Sequence, residues 1–242
     1  MGVNRRAEGV RPAGGGEYMQ RDGPDPASDQ ERTPPCPLCD RADARPFDEG
    51  EGRTYLHCPA CRLMFVPEKF WPSPAEERRR YDQHQNAPDD AGYLSHLETL
   101  ASPLAGRLPP GARGLDFGCG PEPVLCRIME ERGFATRPYD PFYFPDPPGG
   151  PFDFIASTET FEHFRHPRKE IGHLRAMLRT GGLLGVMTMF WSENAFRSNW
   201  HYRRDFTHLC FYRRETVDWI CRAFGFELIW CDGRRAAILR RL

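Results

Sequence analysis

From about residue 112 onward, short apolar runs alternate with stretches whose apolar residues recur at helical spacing. Gly114-Leu-Asp-Phe117 reads as a buried strand, followed by Val124, Leu125, Ile128 and Met129 on one helical face up to a stop at Gly133. A second strand is expected over Phe134 to Asp140, and another over Phe152-Asp-Phe-Ile-Ala-Ser157. Pro167 to Leu178 is amphipathic, with Ile171, Leu174 and Leu178 on one side. It stops at Thr180-Gly181-Gly182, and Leu183 to Phe190 reads as a buried strand. A helix from Glu215 to Phe224 ends at Gly225, and Phe226–Cys231 and Ala236–Leu239, separated by Asp232-Gly233, form a terminal antiparallel hairpin. The order predicts an α/β fold, a parallel sheet finished by a hairpin. Between Asp140 and Asp153 the chain is rich in Pro and Gly, which shortens the middle of that sheet.

Upstream, residues 71–111 are charged and helical, with a start at Pro74 and with Leu94, Leu97 and Leu100 in register before Pro109-Pro110-Gly111. Residues 1–33 show no apolar period and are expected to lack stable structure. Between them, residues 34–70 carry Cys36-Pro-Leu-Cys39 and Cys58-Pro-Ala-Cys61. Two such knuckles complete a tetrahedral set of four thiolates, the spacing of a zinc ribbon, and a structural zinc suits four soft ligands without a redox partner. A module this small depends on the metal for much of its folding free energy. His57 and Asp40, beside the knuckles, read as solvated neighbours.

The remaining five of the nine cysteines are scattered among apolar neighbours and read as reduced thiols; Cys119 fills a glycine turn rather than acting as a nucleophile. A formal charge of −1 supplies no general field for nucleic acid or anionic membrane. No apolar run reaches the ~20 residues of a membrane span and no signal-peptide core begins the chain, so a cytoplasmic protein is expected.

The sharpest chemistry lies in Asp116-Phe-Gly118-Cys119-Gly120, where glycines let a ligand approach the main chain and the next helix start offers unpaired N–H groups. Asp140, at the end of the second strand, can accept hydrogen bonds from ribose hydroxyls. Asp-x-Gly-x-Gly resembles the first-strand motif of class I S-adenosylmethionine-dependent methyltransferases. Tyr139-Asp-Pro, Glu162-His-Phe, Arg179-Thr-Gly-Gly and Asp205-Phe-Thr-His-Leu-Cys-Phe-Tyr212 follow in the order of the bacterial members in which a zinc ribbon precedes the catalytic domain. The resemblance implies a Rossmann-like methyltransferase domain over residues 112–242. In it Asp116, Gly118, Cys119 and Gly120 hold the methionine end of S-adenosylmethionine, Asp140 the ribose, and Glu159 lies beside the cofactor. Residues 71–111 then form a linker or lid, with Tyr81, His84 and Asn86 as candidate lid residues.

For an acceptor that must lose a proton, His163 at the sheet edge is the first candidate base and Asp205 with His208 the alternative pair. A small-molecule acceptor, methylated at oxygen or carbon, is the leading expectation. Ser157-Thr-Glu-Thr lacks the Asn/Asp-Pro-Pro-Tyr/Phe pattern of base-amine methylation, which lowers a nucleic-acid substrate below it; an RNA or protein substrate docked by the ribbon and a noncatalytic binding protein are the alternatives. Glu122 stands where the family commonly has another glycine, and is expected to weaken cofactor binding.

Overall fold

The computed structural model describes Met1 and residues 33–83, 89–146, 148–198 and 200–242. The expectations for the tail and for His84 and Asn86 fall outside the described residues, except at Met1 and Thr33. Residues Thr33–Leu242 form one compact unit.

In chain order, β1 (Arg45–Gly50), β2 (Arg53–His57) and β3 (Met64–Phe65) precede α1 (Pro74–Tyr81) and α2 (Ala91–Ala105). Then come β4 (Gly114–Phe117), α3 (Val124–Glu130), β5 (Thr136–Tyr139), β6 (Phe152–Thr158), α4 (Pro167–Met177) and β7 (Leu178–Met187). The chain closes with α5 (Glu193–Arg197), β8 (Cys210–Phe211), α6 (Arg214–Phe224), β9 (Phe226–Cys231) and β10 (Ala236–Arg241).

The larger sheet runs β5-β4-β6-β7-β10-β9. Its first four strands pair in parallel, and β10 joins β7 and β9 antiparallel, as the hairpin pattern predicts. Among the described residues no strand lies outside β5, so the Pro- and Gly-rich segment leaves β5 at the edge. Because side chains alternate across a strand, Ile155, Leu184, Val186 and Leu239 pack with Ile171, Leu174, Val217 and Ile220 of α4 and α6. On the other face Phe154, Ala156, Met187 and Ile238 pack with Leu97, Leu100 and Leu104 of α2 and Leu125, Ile128 and Met129 of α3.

Two helix starts follow local chemistry. Ser73 accepts from the Glu76 amide while the Glu76 carboxylate takes the Ser73 amide, a capping box with Pro74 in the first turn. Asp90 Oδ1 accepts from Tyr93 N at 2.6 Å to start α2. The largest boundary shift is at β7, which begins at Leu178, five residues before the expected Leu183, and ends at Met187. Leu178 is fully buried and pairs with Phe152, so tertiary pairing carries the strand past the glycine stop, with Gly181 absorbing a φ of 76°.

The smaller sheet, β1-β2-β3-β8, draws its last strand from far downstream, with Met64 opposite Phe211 and Phe65 opposite Cys210. Residues of the cysteine segment share cores with the rest of the unit: Leu38, Leu63 and Phe65 join the cluster that contains Leu115 and Tyr212. Tyr55, Met64 and Val66 join Trp191, Phe196, Trp200, Tyr202 and Phe211. At this junction the buried Arg53 guanidinium donates to the carbonyls of Arg203 (2.7 Å), Asp205 (2.8 Å), Phe206 (3.0 Å) and His208 (3.1 Å) and to the Tyr55 hydroxyl (3.0 Å). A planar fork with five N–H groups suits this task.

Candidate active site

The turn after β4 is stitched to the end of β5. Gly118 (φ 80°) and Cys119 donate their amides to Tyr139 O at 2.8 and 3.2 Å, and Gly120 (φ 69°) donates to Asp140 Oδ2 at 3.1 Å. Asp140 Oδ1 accepts from Phe142 N (2.8 Å) and Tyr143 N (3.2 Å). Both glycines occupy the left-handed region that disfavours other residues. A Cβ at Gly118 would collide with Thr160, whereas at Gly120 it would meet no atom within 4 Å, so the main chain there lies open to a ligand.

That turn forms one end of a cavity of about 1010 Å³, within the usual range for cofactor and substrate pockets. Gly118, Cys119, Gly120, Asp140, Glu159, His163, Asp205 and His208 all line it. Asp116 is among the expected site residues and does not; it lies buried beneath the turn, its Oδ1 without a hydrogen bond among the described residues and its Oδ2 3.7 Å from Cys126 Sγ. Burial pushes its carboxyl up to about 7. Glu122 is exposed and lies outside the lining, which removes the close approach to the cofactor that its sequence position suggests.

Glu159 has a φ of 48°, uncommon outside glycine, at the carboxyl end of β6. Its Oε2 accepts from the Tyr202 hydroxyl at 3.1 Å, and its Oε1 lies 3.4 Å from His96 Nε2 without hydrogen-bond geometry. Arg235, from the β9–β10 turn, is 3.0 Å from the other nitrogen of His96. Tyr93, His96 and Arg235 therefore belong to the cavity without having been marked in the sequence, and Glu162 and Tyr202 line it with them. The signal for the first two was their position three residues apart on α2, beside the apolar stripe.

In the wall of the same cavity the short helical turn Phe161–His163 and the 203–208 loop meet. His163 Nδ1 lies 3.0 Å from Thr207 O, and His208 Nδ1 2.7 Å from Tyr202 O. A carbonyl only accepts, so each Nδ1 carries a proton. The two rings are 4.8 Å apart. Burial holds His208 well below its ordinary pKa, so it is neutral. Burial alone would raise Asp205, but hydrogen bonds from the Thr207 hydroxyl (2.6 Å) and amide (3.0 Å) and the Arg80 guanidinium (2.7 Å) hold it down at about 2. Asp205 thus pins its own loop.

The four cysteines repeat one local design. Asp40 N donates to Cys36 O and Cys36 N to Arg41 O; Arg62 N donates to Cys58 O and Cys58 N to Leu63 O, all at 2.9 Å. Asp40 (φ 60°) and Arg62 (φ 63°) turn the chain back at matching places. The Sγ atoms lie within 4.8 Å of one another, with Cys36–Cys61 at 3.5 Å and Cys39–Cys58 at 3.4 Å. Tetrahedral zinc–sulfur bonds of about 2.3 Å place sulfurs about 3.8 Å apart, so the set fits that ion with small adjustment.

A family model described as a methyltransferase domain matches residues 84–230. Curated proteins give no significant match. Among solved structures, the 1,6-didemethyltoxoflavin-N1-methyltransferase of Burkholderia thailandensis, with 1,6-didemethyltoxoflavin and S-adenosylhomocysteine bound, is 14% identical over 82% of this chain and 99% of its own, with a TM-score of 0.51. An O-methyltransferase family protein from the same organism is 15% identical over 68% of this chain and 62% of its own, with a TM-score of 0.48. Identities this low speak to fold alone. No helix among the described residues is long and apolar enough to cross a membrane. With the family model spanning more than half of the sequence and the parallel sheet closed by an antiparallel hairpin, the chain belongs to the methyltransferase-domain family and has the class I S-adenosylmethionine-dependent fold.

Proposed function

We propose that the protein transfers a methyl group from S-adenosylmethionine to a small-molecule acceptor, at oxygen or carbon. The observation that carries this reading is the single cavity joining the open main chain at Gly120 to the His163 and His208 wall. Bound S-adenosylmethionine supplies a sulfonium methyl group open to in-line displacement, so alignment and exclusion of water account for much of the catalysis. Gly118, Cys119 and Gly120 present main chain to the methionine portion. Asp116, once ionised beneath the turn, favours the ammonium through space. Asp140, although it accepts three amides, retains lone-pair capacity for a ribose hydroxyl. Glu159 borders the cofactor end, held by Tyr202. His163 and His208 stand at the acceptor end, each with its Nδ1–H held by a carbonyl.

We assign a structural zinc to Cys36, Cys39, Cys58 and Cys61, supported by the matched knuckles and the burial of three of the four sulfur-bearing residues. Its place is to hold residues 34–70 against β8 and the 203–208 loop.

Calorimetry with S-adenosylmethionine, followed by incubation of labelled cofactor with fractionated cell extract, tests the reading. Binding together with label in a low-molecular-weight fraction is expected. Label in RNA or protein would move the acceptor to a macromolecule, and binding without transfer to any fraction would make the protein a noncatalytic binder.

A further inference from the structure

Glu162 is fully buried, and neither carboxylate oxygen has a hydrogen-bond partner among the described residues. The Tyr202 and Thr188 hydroxyls stand beside it, but Tyr202 Oη also lies 3.1 Å from Glu159 Oε2 and 3.1 Å from Thr188 Oγ1, so its one proton serves three neighbours. A buried carboxylate without donors is costly unless a cation offsets it. Two arginines of the same cavity are paired elsewhere, Arg80 with Asp205 and Arg165 with Glu77.

A carboxylate oxygen of Glu162 and one ring nitrogen each of His163 and His208 lie within 4.8 Å of one another. Both imidazoles are prepared as ligands. A metal-binding histidine usually donates its other ring N–H to a carbonyl or carboxylate, which fixes tautomer and ring direction, and Thr207 O and Tyr202 O do this here. The peptide links also set the cluster: Leu209 N donates to Glu162 O at 2.7 Å, and Arg53 grips His208 O.

We propose that Glu162, His163 and His208 bind a divalent first-row transition-metal cation at the acceptor end of the cavity. Two imidazoles and one carboxylate leave coordination positions open and suit such ions better than the hard cations calcium and magnesium. The assignment makes His163 a ligand in place of a base. Resting on the methyl-transfer reading, it also narrows the acceptor to molecules that bring an oxygen donor, hydroxyl or carboxylate, to the cation.

The test titrates the full-length chain, with zinc retained at the cysteines, with Co²⁺, followed by visible absorption and by metal analysis. One further equivalent is expected, with the weak absorption of nitrogen and oxygen ligands, and its affinity falls at least tenfold in Glu162→Gln while zinc stays at one equivalent. Uptake equal in wild type and Glu162→Gln, or cobalt bearing only the strong thiolate absorption, overturns the assignment. Should Glu162→Gln fail to fold, His163→Asn, at a half-buried position, must show the same loss. Calorimetry with S-adenosylhomocysteine separates the two readings: cobalt bound with no affinity for S-adenosylhomocysteine would sink methyl transfer and leave the metal site standing, and the reverse result would do the opposite.

Discussion

The four-cysteine cluster and the Glu162–His163–His208 cluster each bring ligand atoms within 4.8 Å, yet they are built differently. The first is assembled from two six-residue turns with the same hydrogen bonds, so each half is a local structure. In the second, Glu162 and His163 are adjacent but His208 arrives from another loop, held through its carbonyl by Arg53 and through Nδ1 by Tyr202 O. Because Arg53 belongs to β2, the segment carrying the cysteines also braces the wall of the cavity. The locally coded cluster supports the one that only folding creates.

The largest expected effect comes from breaking the local cluster. Structural zinc in small modules supplies on the order of 10 kcal/mol of apparent binding free energy, so Cys58→Ser should abolish stoichiometric zinc and lower the thermal midpoint sharply. Retained zinc with an unchanged midpoint would remove the bracing role.

Next in size is Arg53→Met, which leaves four carbonyls and the Tyr55 hydroxyl without their donor and should cost roughly 3–5 kcal/mol in denaturant unfolding. Zinc content should survive, while cobalt uptake at the acceptor end weakens. If both metals are lost together, the two clusters are not separable in the way their construction suggests.

Asp116 gives a pH test at the cofactor end. Its unfolded carboxyl titrates near 3.8, whereas the buried one keeps its proton up to about 7. The unfolded state therefore binds fewer protons between those values, and stability from this group is full below about pH 4, falls through the window to about pH 7 and is level above it. An ammonium ligand favours the ionised form, so affinity for S-adenosylmethionine should rise from pH 6 to pH 8. Asp116→Asn should flatten that profile, bind the cofactor at least tenfold more weakly, and lose the fall in stability of the free protein. Calorimetry and thermal unfolding across this range measure both.

The smallest effect is at Glu122. Its exposed side chain predicts that Glu122→Gly tightens S-adenosylmethionine binding by no more than a few-fold. Tighter binding by the wild type would contradict the residual repulsion inferred from its position.

Much of the fold was legible because its signals are local. Leu115 and Phe117 before a glycine turn, Gly225 ending α6 in the left-handed conformation, and Asp232-Gly233 between β9 and β10 each act within a few residues. The early start of β7 was not legible, since Leu178 becomes a strand residue only through its pairing with Phe152. Nor was the meeting of Glu162 with His208: Glu162 and His163 are neighbours in the sequence, but His208 joins them only through the fold of the 203–208 loop. Asp205 reads as an acid or base in the sequence, and only its contacts with Thr207 and Arg80 give it the part of a loop anchor.

By itself the sequence determined the parallel sheet with its hairpin, the glycine turn and the pairing of cysteines into knuckles, because periodicity, backbone permissiveness and ligand spacing are short-range properties. The tertiary structure decided that β8 completes the cysteine segment's sheet, that Arg53 ties that segment to the cavity, and that Glu162 meets two histidines there. Those outcomes depend on which distant donors and acceptors are left over after the chain has packed, a quantity no local pattern contains.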